Sequence, residues 1–210
     1  MRYFLTVFVA LLYGCAGLSG VDIYVNKQYQ GKPKSVAKLA VIPLAQFGEV
    51  VDGKGKTVSL EKVTSDYFEK SFKDVEGKVS LVPMSKSGEA LRASPDLFAK
   101  VMAIKYSERE LEGNPGLKGT LDERDLLRLR EQLDNADLLL VPAQFDLVPQ
   151  FGVISGYSEF RLYDLDSGSL VYSGSRSLNV NRVDGAGRGL MAIILVGQAS
   201  KDFKTLYLKQ

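Results

Sequence analysis

The only cysteine of this 210-residue chain is Cys15, in the stretch LLYGCAG. A thiol can act as a nucleophile, a metal ligand, a small buried apolar side chain or a point of covalent attachment. The chain has no histidine. The Cys-His and Ser-His-Asp nucleophile systems and the common transition-metal sites therefore lack a required residue. A point of covalent attachment is therefore a leading interpretation of the role of Cys15.

The residues before Cys15 indicate export. Residues 3–13 are apolar except for Thr6, and they follow the positive charge of Arg2. A run of about eleven residues is too short to span a bilayer as a helix, which needs about 20. It fits the apolar region of a secretory signal peptide. We therefore predict a signal peptide over residues 1–14.

The four residues Leu12, Tyr13, Gly14 and Cys15 resemble the lipobox of bacterial lipoproteins: a branched apolar residue, a variable one, a small one and then cysteine. The resemblance implies cleavage before Cys15, diacylglycerol on its sulfur and an acyl chain such as palmitate on its new amino group. Each buried methylene contributes about 0.8 kcal/mol, so two or more chains hold a protein on a membrane. We predict Cys15 as the lipid attachment site. The alternatives are a transmembrane anchor or a buried free thiol.

Ala16 follows the cysteine at the position where, by resemblance to proteobacterial lipoproteins, an aspartate favours retention in the inner membrane. The expected location is the outer membrane, lipid-anchored with the domain facing the periplasm. In an organism without an outer membrane it would be the cell membrane.

Charge and composition limit the partners. The chain has 27 basic and 25 acidic residues, and removal of the signal peptide takes away only Arg2. This balance gives no electrostatic case for nucleic acid. We predict a lipidated cysteine and tether over 15–37 and a single domain over 38–210. VDIYVN, within the tether, is either a short strand packed on the domain or part of the connection.

Three apolar runs with a proline near the end organise the domain: KLAVIPLA (38–45), KVSLVPM (78–84) and ADLLLVPAQF (136–145). Continuous apolar runs are typical of strands buried on both faces. Proline cannot donate to a central ladder, so each should lie at a strand end or a bulge.

Four segments between and after these runs carry helix signals. Residues 60–75 have helical apolar spacing, and a second helix is expected to start at Ser94-Pro95 and stop at Gly113 with Pro115. Thr120 and Glu123 form a capping box for a third, and an apolar C-terminal segment from Leu190 suggests a fourth. For LMAIILV in that last segment a strand is the alternative. Two longer strands flank Asp166-Ser167-Gly168 as a hairpin. The predicted fold class is α/β, ordered β-α-β-α-α-β-β-β-α. Its mixed sheet has three parallel strands plus an antiparallel hairpin, packed with helices.

The segments AKLAVIPLAQF, ADLLLVPAQFDL and FRLYDLDSGSLVYSGS resemble envelope lipoproteins around the curli-secretion channel protein. Similar domains occur in the lipoprotein activators of penicillin-binding proteins and in the amino-terminal domain of the Tol-system propeller protein. The resemblance covers roughly residues 38–208. It implies an anticodon-binding-domain-like α/β fold without catalysis of its own.

Three glycine-containing segments approach known ligand motifs without meeting them. Residues 48–57 (GEVVDGKGKT) lack the glycine spacing of a phosphate loop, and DGAGRG (184–189) has Leu190 where a dinucleotide loop needs glycine. DLDSG (164–168) is too short for a calcium loop. We interpret them as a flexible polar loop, a strand-to-helix turn and a hairpin turn.

Glu159, Arg161, Tyr163 and Asp164 crowd one predicted strand, where paired carboxylates could do acid-base chemistry. Alternation places the first three on one face and Asp164 on the other. We interpret them as a solvated surface.

The sequence therefore predicts no catalytic residue, no cofactor site and no metal site. The predicted function is a lipid-anchored envelope protein whose periplasmic domain is a non-catalytic protein-interaction or assembly-accessory module. Its expected partners are the membrane, through Cys15, and envelope proteins, with a homo-oligomer left open. The alternative is a subunit of an oligomeric outer-membrane secretion channel.

Cys15→Ala should leave the chain uncleaved at this site and abolish acylation, because the substitution removes the sulfur that carries the lipid. Labelling cells with a clickable fatty acid measures this directly. Equal labelling of variant and wild type would contradict the lipobox prediction.

Overall fold

The structure, a computed structural model, describes residues 17–26, 37–44, 48–51, 56–72, 79–106, 108–113, 115–150, 153–181 and 185–207. The predicted signal peptide, Cys15 and most of the predicted tether lie outside the described residues. No helix within these ranges is long and apolar enough to cross a membrane.

The strands of the described ranges are β1 (Gly17–Val25), β2 (Ala37–Val41), β3 (Glu49–Val51), β4 (Thr57–Ser59), β5 (Val79–Leu81), β6 (Leu138–Gln150), β7 (Val153–Asp164) and β8 (Leu170–Val180). The helices are α1 (Leu60–Phe72), α2 (Met84–Ala93), α3 (Pro95–Ala103), α4 (Glu108–Glu112), α5 (Glu123–Gln132) and α6 (Gly185–Tyr207).

Six of the strands form one sheet in the order β1-β8-β7-β6-β2-β5. β2 pairs in parallel with β5 and β6. The β6–β7, β7–β8 and β1–β8 pairs are antiparallel. The predicted α/β class, with three parallel strands, an antiparallel hairpin and packed helices, is confirmed.

Proline has no N–H to donate, and the prolines of the three apolar runs lie at the positions this predicts, at strand ends or at an irregularity. β2 ends two residues before Pro43, and β5 ends two residues before Pro83. Pro142 lies inside β6, at the point where the register against β7 shifts between Pro142 and Gln144. Each proline thus avoids an interior position of a regular central ladder.

Apolar side chains fill one face of the sheet and, around the parallel strands, the other face as well. On one face Leu39, Leu140 and Phe160 pack with α1 and α6. The ring of Phe68 lies edge-to-face against Phe160, and the ring of Phe72 lies edge-to-face against Phe203. On the other face α2, α3 and α5 cover the parallel strands and the adjacent ends of β6 and β7. This second helical layer supplies Ala90, Leu97, Phe98, Val101, Leu126 and Leu129.

α6 approaches β7 closely at Gly156. A Cβ on Gly156 would lie 1.9 Å from the Met191 sulfur and 2.8 Å from Met191 Cγ. Met191 is fully buried, so only a glycine leaves room for it. Further along α6, Asp202 accepts hydrogen bonds from the Tyr172 hydroxyl (2.9 Å) and from Arg176 Nη2 (2.6 Å) of β8. These contacts fix the helix along the antiparallel strands.

Four segments differ from the sequence-based expectation. Residues 17–25, assigned to the tether, form edge strand β1, which realises the strand alternative for VDIYVN. The predicted flexible loop at 48–57 contains β3 and the start of β4, which pair antiparallel. α2 was not predicted because Ser87 and Gly88 stand at buried positions and interrupt its apolar periodicity. α6 begins at Gly185, inside the segment predicted as a turn.

The predicted capping box at Thr120 and Glu123 is wrong in position. α5 begins at Glu123, and its N-cap is Asp122, whose Oδ1 accepts from the Asp125 amide at 2.7 Å. Thr120 belongs to the preceding turn, where its amide donates to the Leu117 carbonyl. A carboxylate at the N-cap also interacts favourably with the positive end of the helix dipole.

Asp122→Ala should lower the free energy of unfolding by about 1 kcal/mol, since it removes the side chain that caps α5. Thr120→Ala, the matched control two residues earlier, should change stability by much less. Urea denaturation of both variants measures the difference. A larger loss for Thr120→Ala would restore the capping-box prediction.

Candidate functional site: an uncovered sheet face and its cleft

The antiparallel half of the sheet carries polar residues, and the apolar Val148, on the face opposite α6. Because cross-strand partners share a face, the pairing register identifies them. We call this surface the open face: Asp22 and Tyr24 of β1, Ser173, Ser175, Ser177 and Asn179 of β8, Ser155, Tyr157 and Glu159 of β7, and Gln144, Asp146 and Val148 of β6.

Helices α2–α5 stop short of this surface. Tyr163 and Arg161, nearer the β7–β8 turn, are buried, but Glu159, Tyr157 and Ser155 further along the same strand are each partly accessible. On β8 three serines alternate with residues that face α6. Antiparallel sheets commonly keep one face packed and one face in water. The short hydroxyls suit this accessible face because they bury little apolar surface.

A cleft of about 380 Å³ lies where the open face meets the segment that joins α3 to α4. The sheet contributes side chains from β1, β6, β7 and β8, among them Tyr24, Tyr157 and Arg161. The opposite wall includes Ile104 and Tyr106. Aromatic rings and polar groups thus line one recess, which opens beside the edge strand.

An ion pair forms the floor of this cleft. Arg161 Nε donates to Glu159 Oε1 at 2.6 Å, and the Ser173 hydroxyl donates to the same oxygen at 3.2 Å. The other side of the guanidinium donates from Nη1 to the Ile104 carbonyl oxygen and lies 5.1 Å from the centre of the Tyr106 ring. Arg161 is only 5% exposed. The predicted solvated surface is therefore wrong for Arg161 and Tyr163, which are buried under the α3–α4 segment.

The tyrosines near Arg161 remain protonated at physiological pH. Burial raises the pKa of Tyr106, and the neighbouring Tyr163 adds to the effect. Burial likewise raises the pKa of Tyr163. The Tyr106 hydroxyl donates to the Gly116 carbonyl oxygen at 3.0 Å and lies 3.2 Å from the Tyr163 hydroxyl. These neutral hydroxyls hold the α3–α4 segment against the sheet.

The charged groups of the cleft floor contact each other and join β7 to the segment between α3 and α4. Arg161 is an extended cation held by a carboxylate, a carbonyl and a ring, and its burial is tolerated because those partners compensate the lost hydration. Glu159 accepts two hydrogen bonds on one oxygen. Within the described ranges no group of three or more His, Cys, Asp or Glu residues could hold a metal ion.

The remaining sequence-predicted segments lie elsewhere. Asp164 caps the β7–β8 turn, where its Oδ1 accepts from the amide (2.7 Å) and hydroxyl (2.9 Å) of Ser167. Gly168 follows with φ +71°, a conformation that favours glycine, and DLDSG is confirmed as a hairpin turn. Gly48 and β3 lie beside α1 and α6, away from the cleft. Cys15 lies outside the described residues.

Sequence reasoning missed the tyrosines of the cleft, because Tyr24, Tyr106 and Tyr157 come from three distant segments. The accessible serines of β8, in contrast, could have been identified from the sequence. In SGSRSLN (173–179) every second residue is small and polar, which indicates one accessible strand face.

No protein-family model matches the sequence. No curated protein matches it either. The comparisons that match are with solved structures. The PelC dodecamer from Paraburkholderia phytofirmans is 15% identical and has a TM-score of 0.42, with 90% of this chain and 96% of that chain covered.

Two further structures are similar at the same level. The hypothetical protein CT253 from Chlamydia trachomatis is 12% identical over 83% of this chain and 99% of its own, with a TM-score of 0.46. The lipoprotein GNA1162 from Neisseria meningitidis is 16% identical over 79% of this chain and 99% of its own, with a TM-score of 0.38. With TM-scores below 0.5, these similarities assign neither a family nor a function to the chain.

Glu159→Gln should lower the free energy of unfolding by about 2 kcal/mol, because it leaves the buried Arg161 charge without its carboxylate. Ser173→Ala, which removes a second donor to that carboxylate, should cost about 1 kcal/mol or less. Chemical denaturation at neutral pH compares the two. Equal and negligible losses would mean that the ion pair does not stabilise the cleft.

Proposed function

We propose that the chain is a lipid-anchored cell-envelope protein whose α/β domain has no catalytic activity and binds another protein through the open face and the adjoining edge of β1. The observation that carries the proposal is the position of β1. It ends the sheet, lies next to the cleft and begins two residues after Cys15.

The outer edge of β1 is suited to strand addition. β1 pairs with β8 on one side, and no described residue pairs with its other side. Natural proteins usually protect such edges with lysine, proline, bulges or a covering loop. β1 has one charged residue, Asp22, and one irregularity, between Leu18 and Gly20. Residues 21–25 are paired regularly. They offer a template on which an extended segment of a partner can form backbone hydrogen bonds.

The open face supplies specificity next to that edge. Side chains of an added strand would alternate between the two faces, and those on the open-face side would lie beside Asp22 and Tyr24 at the mouth of the cleft. The serine hydroxyls of β8 and the exposed Gln144 can form hydrogen bonds with a polar partner surface. A non-catalytic role is supported by the Arg161–Glu159 pair, in which each charge contacts the other.

Photo-cross-linking in intact cells tests the proposal. A photoreactive amino acid replaces Ser175 or Asn179 on the open face, or Leu127, which is 58% exposed on α5. We expect an adduct of defined mass with a second envelope protein from the open-face positions and little from Leu127, because only the open face adjoins the edge. Ser177→Arg, which places a large cation on that face, should reduce the adduct without lowering thermal stability.

The outcomes separate the alternatives. A ladder of self-adducts from the open face, together with large rings in mild detergent, would support a channel subunit. No adduct from either open-face position in cells where the protein is present would contradict the interaction role.

A further inference from the structure

The first half of α6 is apolar on its outer side as well as its inner side. Its sequence from Leu190 to Val196 is LMAIILV, in which Met191, Ala192, Leu195 and Val196 are buried against the sheet. Leu190 is 48% exposed and Ile193 is 37% exposed. A helix packed on a sheet and otherwise surrounded by water normally carries polar residues on its outer side. The second half of α6 does so, with Lys201 exposed.

This apolar outer side lies at the level of the start of β1. Leu18 of β1 pairs with Leu178 of β8, and Leu178 pairs with Gly156 of β7. Met191 of α6 packs directly on Gly156. Leu190, which precedes Met191, and Ile193, two residues after it, are therefore exposed on the α6 side of the sheet at the level where β1 begins.

The segment between Cys15 and β1 is short. Cys15 precedes Gly17 by two residues, which span at most about 7 Å. We infer that the outer side of the first half of α6, presented by Leu190 and Ile193, lies against the surface of the lipid bilayer to which Cys15 attaches the domain. The inference rests on the proposed lipid anchor and adds an orientation to it.

The chemistry of this surface fits a lipid interface. Apolar side chains on an interfacial helix enter the boundary between headgroups and acyl chains, and basic residues beside them interact with anionic headgroups. Arg188 is exposed two residues before Leu190 and five residues before Ile193. The open face lies on the opposite side of the sheet from α6. This orientation therefore directs the cleft away from the membrane, toward the aqueous phase and a soluble partner.

A single-tryptophan experiment tests the orientation, because the chain has no tryptophan of its own. The full-length protein is purified from membranes as Leu190→Trp, Ile193→Trp or the control Leu127→Trp. Each is reconstituted into vesicles of phosphatidylethanolamine and phosphatidylglycerol, with or without lipids brominated on the acyl chain. We expect a blue shift and quenching by brominated lipid for tryptophan at 190 and 193, and neither for tryptophan at 127. Circular dichroism confirms that each variant is folded, and the two test positions provide a second variant if one fails.

The outcomes distinguish this inference from the proposed anchor. Mass spectrometry of the N-terminal peptide of the same samples reports acylation of Cys15. An unacylated Cys15 overturns the anchor and the orientation with it. An acylated, folded protein whose tryptophans at 190 and 193 are not quenched overturns the orientation alone. A blue shift that needs no vesicles and grows with protein concentration identifies a second copy as the occupant of this surface, and it overturns the inference as well.

Discussion

The close approach of α6 to β7 at Gly156 is the constraint on which the antiparallel half of the molecule depends. A side chain at this position would occupy the space of Met191, so the helix can lie on the sheet only where one strand residue has no Cβ. The contact places the apolar inner side of α6 over Ile154 and Leu178. The contacts of Asp202 with β8 then hold the other end of the helix. α6 and α1 thus bury this face of the sheet together.

This arrangement makes the two sides of the sheet unequal. α6 follows the antiparallel strands along most of their length, whereas α2–α5 cover the opposite side only near the parallel strands. Arg161 marks the boundary, because its guanidinium joins the last covered part of β7 to the carbonyl of Ile104. Beyond that boundary the sheet presents serines and tyrosines to solvent. These strands can keep a polar surface without losing buried apolar area, because their apolar side chains pack on the α6 side.

The central elements were predictable because their signals are local. Continuous apolar runs with terminal prolines indicated the parallel strands, and the turn at 164–168 indicated the β7–β8 hairpin. Tertiary context decided the rest. Alternation along β7 predicted that Glu159 and Arg161 share a face, but it could not predict that a segment 57 residues away would cover Arg161. The helical stretch Met84–Ala93 depends on packing rather than on an apolar stripe of its own, and Asp122 competed with Thr120 as an equally suitable cap.

β1 has a consequence for the order in which the molecule folds. Its partner strand lies near the other end of the chain: Gly17 pairs with Asn179, and Val25 pairs with Tyr172. Pairing between residues so far apart closes a very long loop, which makes it slow compared with the β6–β7 and β7–β8 hairpins. β1 therefore joins the sheet after those two hairpins have formed.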